Sequence, residues 1–240
     1  MNRENPAEEL IRMKQHDLEV RQRLLDAGKL QEGYAPEMEA VHLRHSRRLE
    51  EILAETGYPS IRKVGREASE AAWFLIQHSI SRPDFMRRML ALLRSLPPEE
   101  IDAKQTACLE DRIRMYEGKK QLYGTQFDWD EEGRLSPVPC DDLRRVAERR
   151  EKLGFPPLEQ QIDRMRREQT FFPDRQWLRR HHARALAWLE KTGWRTRPAS
   201  LPEEESSFPD FPPAPGKISG KETGKIKKGI AKTEKTGYTS

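Results

Sequence analysis

Residues 67–81 read EASEAAWFLIQHSIS, and this stretch decides the fold. Ala71, Ala72, Trp73, Phe74, Leu75 and Ile76 are six apolar residues in a row, and on a helix they cover nearly every face. A helix that is apolar all round belongs at the centre of a helical domain. It is too short for a bilayer, since a spanning helix needs about 20 apolar residues. The run ends in Gln77-His78, which places two polar side chains at the edge of the core.

The segments before it carry the period of amphipathic helices. A first helix starts after Pro6, with Leu10, Met13, Leu18, Leu24 and Leu25 as its stripe, and ends at Asp26-Ala27-Gly28. A second runs from about Pro36 to Glu55 through Met38, Val41, Leu49, Ile52 and Leu53. Gly57-Tyr58-Pro59-Ser60 breaks it. The short connection predicts an antiparallel helix pair. On the other side, a helix begins near Pro83, with Phe85, Met89, Leu90, Leu92 and Leu93, and Pro97-Pro98 stops it. Ala103–Glu117 is the next helix.

The period then changes. From Gln121 to Pro137, Asp and Gly separate aromatic and aliphatic stretches, which predicts a small β-hairpin or ordered loop. Pro137 and Pro139 confine any strand there to an edge. Asp141–Leu153 is a basic helix. Gly154–Leu158 is a turn before a short helix to about Arg167, and Pro173–Lys191 forms the last helix. The expectation is a mainly α, bundle-like single domain over residues 8–195.

The chain has 240 residues and a net charge of +4, with 35% hydrophobic and 35% charged residues. Residues 216–240 carry seven Lys against two Glu, so the rest of the chain is close to neutral. That Lys-rich segment has the composition of a disordered tail. Residues 198–215, with six prolines and four acidic residues, read as an acidic Pro-rich linker to it. Cys108 and Cys140 fit no zinc or redox spacing, and MNRENPAEEL has no apolar stretch behind its charges. Both features predict a cytoplasmic protein with reduced thiols and no secretory signal.

Several words stand together in this chain. They are Gly57-Tyr58-Pro59, VGREASEAAWFLIQH over residues 64–78, LEDRI over 109–113, GKKQLYGTQF over 118–127, Arg149-Arg150, and LGFPPL over 153–158. In this order they resemble a bacterial family of uncharacterised proteins, domain of unknown function 6624. The resemblance covers about residues 8–165, which leaves 166–195 as a C-terminal helical extension. It implies no reaction. It draws attention to the QH, DR and QLYGTQ words as the place of a site. His45 departs from the family, which often has Asn there.

His78 is the sharpest candidate. An imidazole titrates near neutrality and suits acid–base work; the plainer reading is a core histidine satisfied by a neighbour. Asp111 and Arg112 sit among Leu109, Ile113 and Met115, so at least one charge faces inward and needs a partner. Asp111 could orient His78 as a catalytic pair, or form an internal salt bridge. Gln77, Arg112, Gln121, Tyr123, Thr125 and Gln126 supply donors and acceptors for a small polar or anionic ligand. They could equally knit a loop to the core.

No phosphate-loop, dinucleotide or nucleophile-elbow spacing occurs. His16, Asp17, His42, His45, His78 and Asp111 fall on four helices, an arrangement that can build a metal site. Without an HExxH or ExxH pair they read as scattered groups, so no metal ligand is assigned and the cofactor is left unknown. Acidic residues interrupt the Arg144–Arg150 and Arg164–Arg167 clusters, which reads as a solvated mixed face. Nucleic acid is therefore expected only at the Lys-rich tail. Two functions stay open: a ligand-binding or enzymatic domain, and a non-catalytic interaction or regulatory module with a structural polar network.

Overall fold

The computed structural model describes residues 5–30 and 33–196. The acidic linker and the Lys-rich tail lie outside the described residues. The fold is mainly α with one small antiparallel hairpin. No described helix is long and apolar enough to cross a membrane. Cys108 and Cys140 are both free thiols.

Helix α1 spans Pro6–Asp26 and α2 spans Pro36–Thr56. Each has proline in its first turn, where a missing N–H is no loss. Asn5 Oδ1 accepts from Ala7 N at 3.1 Å and caps α1. The buried stripe of α1 is Leu10, Met13, Asp17, Val20 and Leu24. Leu18, expected on that stripe, is 37% exposed. Steps of three and four residues keep one face of a helix inward, and from Leu10 and Met13 they lead to Asp17. On α2 the buried stripe is Met38, Val41, His42, His45, Ser46, Leu49 and Ile52.

Helix α3, Ile61–His78, is interrupted at Gly65, whose φ of 81° is left-handed. Glycine has no Cβ to resist that conformation, so the long central piece begins just after it. Ala68, Ala71, Ala72, Trp73, Leu75 and Ile76 are buried on it. Helix α3 packs on α1 and α2, and Trp73 Nε1 donates to Gln105 O at 3.0 Å. Helix α4, Pro83–Ser95, leads through a 3₁₀ turn at Pro98–Glu100 to α5, Ala103–Tyr116. The main core gathers Leu10, Leu49, Ile76, Phe85, Leu109 and their neighbours. Val20, Leu24, Ala35, Met38 and Val41 form a smaller cluster at the far end of α1 and α2.

Strands β1, Phe127–Trp129, and β2, Leu135–Pro137, pair antiparallel, with Phe127 opposite Pro137 and Trp129 opposite Leu135. A two-stranded sheet has only edges, so Pro137 is tolerated. Helices α6, Leu143–Lys152, α7, Leu158–Glu168, and α8, Arg175–Lys191, complete the order. Leu189 and Trp194 join the main core cluster. Trp194 Nε1 donates to Ile80 O at 2.6 Å. Arg195 donates from Nε to Tyr116 O at 2.9 Å and from Nη2 to Met115 O at 3.0 Å, satisfying carbonyls at the end of α5.

Candidate functional site

The sequence words separate into two places. The QLYGTQ loop closes on Asp111. One carboxylate oxygen accepts from Leu122 N at 2.7 Å, the other from Thr125 N at 3.0 Å and Thr125 Oγ1 at 3.1 Å, and Tyr123 N bonds both at 3.2 Å. Burial pushes the Asp111 carboxyl up, and these donors pull it back. The loop carbonyls face the other way, toward α6. Arg150 donates to Tyr123 O at 2.6 Å and Gly124 O at 3.4 Å, and Arg149 to Leu122 O at 3.3 Å. Arg150 is 1% exposed, so the solvated face expected of the Arg144–Arg150 cluster fails at this residue. A buried guanidinium needs acceptors, and the loop supplies them.

Inside the loop, Gln121 Nε2 donates to Gln126 O at 2.9 Å and Val138 O at 2.7 Å, while Gln121 Oε1 accepts from Gln126 N at 2.7 Å. Gln126 Nε2 donates to Thr125 Oγ1 at 3.1 Å. Arg112 donates to Gln126 Oε1 and to Gln77 O, both at 3.0 Å, and so ties the loop to the end of α3. The Tyr123 side chain is half-buried, 6.4 Å from the Phe155 ring centroid. Gly124 has φ +65°, and a Cβ there would lie 3.0 Å from Leu158 Cδ1. Asp111, Gln121, Thr125 and Gln126 are all turned inward on one another.

His78 lies elsewhere. No hydrogen bond or ion pair among the described residues joins it to Asp111. Its Nδ1 sits 3.0 Å from Asp17 Oδ1. Asp17 Oδ2 is 3.0 Å from His42 Nε2. One donor atom from each of Asp17, His42 and His78 lies within 4.8 Å of the others. Asp17 is fully buried and His42 is 7% exposed. The His42 and His78 ring centroids are 4.9 Å apart, and Phe74 covers His78 at 4.0 Å. Three helices therefore deliver one cluster: α1 brings Asp17, α2 His42, and the last turn of α3 His78. Gln77, beside it in sequence, has a buried side-chain amide with neither atom hydrogen-bonded.

Burial alone would raise the Asp17 carboxyl; His42 and His78 beside it reverse this and hold it well below the usual carboxylate range. Burial pushes His78 down to about 4 against the pull of Asp17, so the imidazole is neutral at pH 7. Its Nδ1 proton goes to Asp17, which leaves the lone pair on Nε2. Tyr34 Oη lies 2.5 Å from His42 Nδ1, and Ser81 Oγ donates to Glu39 Oε1 at 2.5 Å.

One turn along α2, His45 Nε2 meets His16 Nδ1 at 3.2 Å. Both border a groove of about 530 Å³ between α1 and α2, together with Arg12, Glu19, Arg44 and Arg48. The reading of the histidines as scattered surface groups thus fails for His42 and His45, both buried. Sequence reasoning passed over Asp17 as a partner for His78, although its place on the stripe of Leu10, Met13, Val20 and Leu24 was the available signal.

No curated protein and no solved structure matches the chain. One family model does match, over residues 5–170, and it is a family of unknown function. The match takes in both the Asp17 cluster and the loop around Asp111. By that match, the chain is a member of the family of unknown function DUF6624.

Proposed function

We propose that the protein binds a small polar or anionic molecule at the seam of α1, α2 and α3, and acts on it through Asp17, His42 and His78. The observation behind this reading is Asp17 itself. It is a fully buried carboxylate held ionised, and among the described residues its side-chain partners are imidazoles, with no Lys or Arg. Burying an ion is costly, and apolar residues of similar volume often give a more stable core. Strongly shifted groups gathered this way are the mark of working sites. His78 keeps 13% side-chain exposure, which makes it the member that meets a ligand.

The non-catalytic reading applies to the other words. The completeness of the hydrogen bonding around Asp111 supports a structural brace there, with Arg112 as the strut that holds the end of α3.

The test is a thermal-shift screen of the full chain against inorganic phosphate, nucleoside monophosphates and dicarboxylates. Wild type should respond to at least one class. His78→Asn and Asp17→Asn, shown to be folded by circular dichroism, should lose the response. A response that survives in both variants rules the seam out.

A further inference from the structure

We propose that Asp17, His42 and His78 form a binding site for one divalent first-row transition-metal ion of the zinc class. The proposal deepens the seam reading above and rests on it. The starting observation is a buried pair of metal-ligating atoms in close contact. Asp17 Oδ2 and His42 Nε2 form a close pair 3.0 Å apart, both sealed from solvent, and the contact is not aligned as a hydrogen bond. A carboxylate oxygen and an imidazole nitrogen at that distance are spaced as two ligands of one small cation are.

The donor set fits such an ion. Imidazole and carboxylate are ligands of zinc and its neighbours, and three protein donors with a fourth position left to water is the pattern of a reactive zinc site. One donor atom from each of the three residues lies within 4.8 Å of the others. His78 is the ligand on the exposed side, so the open position faces the route by which a small molecule would arrive. The outer partner is also present. Metal-binding histidines usually donate their second ring N–H to an oxygen that fixes the ring, and His42 Nδ1 has Tyr34 Oη at 2.5 Å. Because the three ligands come from three helices, the ion would also pin α1, α2 and α3 together.

The untagged full chain, stripped with chelator and desalted, is titrated with Zn²⁺ and Co²⁺. Retained metal is measured by inductively coupled plasma mass spectrometry, and Co²⁺ coordination by visible absorption. Wild type should retain one equivalent and melt higher with it, and Mg²⁺ should do neither. Asp17→Asn and His42→Gln should weaken binding 100-fold or more, and Tyr34→Phe about tenfold. A folded wild type that retains no Zn²⁺ or Co²⁺ overturns the site, as does equal retention by folded Asp17→Asn and His42→Gln. If those variants do not fold, Co²⁺-shifted imidazole proton resonances of wild type decide, and none at His42 and His78 overturns it. Should wild type hold no metal while His78→Asn still loses its response to small anions, the ion is overturned and the seam stands. Loss of both overturns both.

Discussion

Removing the Asp111 carboxylate leaves three backbone N–H groups and one hydroxyl buried without their acceptor. Asp111→Ala should therefore destabilise the fold by roughly 3–5 kcal/mol, and Asp111→Asn by less because one acceptor oxygen remains. Urea denaturation midpoints measure this, and equal midpoints for Asp111→Ala and wild type would refute the brace. His45 carries a different prediction. Burial pushes its imidazole from the ordinary 6.5 to about 4; nearby Asp17 works against this, while His16, Arg44 and His42 add to it. A folded value below the unfolded one means the stabilising contribution is whole above pH 6.5 and drains away as pH falls towards about 4. Melting temperature should drop across that window, and His45→Asn should flatten the drop; an unchanged slope would clear His45 of responsibility. The residue scale also shows what the sequence hides. His78 is legible because it ends an apolar run. Asp17 is not, because hydropathy picks the neighbouring Leu18 while helical spacing picks Asp17. Which carboxylate His78 meets depends on α1 crossing α3, and no local pattern records that.

Helices were the legible elements. Proline in the first turn marks the starts of α1, α2 and α4, and the break at Gly57-Tyr58-Pro59 follows the end of α2. The hairpin was legible only as a change of period, since its strands are three residues each. The basic helix α6 was the hardest. Its composition suits a solvated surface, yet Arg150 is turned inward by the carbonyls of a loop some 26 residues earlier. The loop conformation in turn depends on Gly124. Gly124→Ala would hold a Cβ 3.0 Å from Leu158 and 3.3 Å from Cys140 in a left-handed backbone. That should cost about 1–3 kcal/mol. Differential scanning calorimetry should show the loss, and a wild-type melting temperature would mean the loop relaxes freely.

At the scale of the whole molecule, the positive charge belongs to residues 216–240 and not to the helical body. Any attraction to nucleic acid should be weak, indifferent to sequence and steeply reduced by salt. Deleting residues 216–240 should abolish retention on immobilised DNA, and retention that persists would move the contact to the Arg-bearing helices. The main core around Ala71–Ile76 was legible in the apolar run itself. The way it is closed was not. Trp194 bonds the carbonyl of Ile80, a residue 114 positions earlier and two beyond His78. Seen as kinetics, closure over so long a span must overcome the chain entropy of everything between, and contacts of high sequence separation form late. A folding chain can thus possess seven helices while the end of α3 is still unfastened. The Asp17–His78 contact spans 61 residues against 114 for Trp194–Ile80, so the bond from the last turn should be added to the end of α3 after α1 and α3 have met.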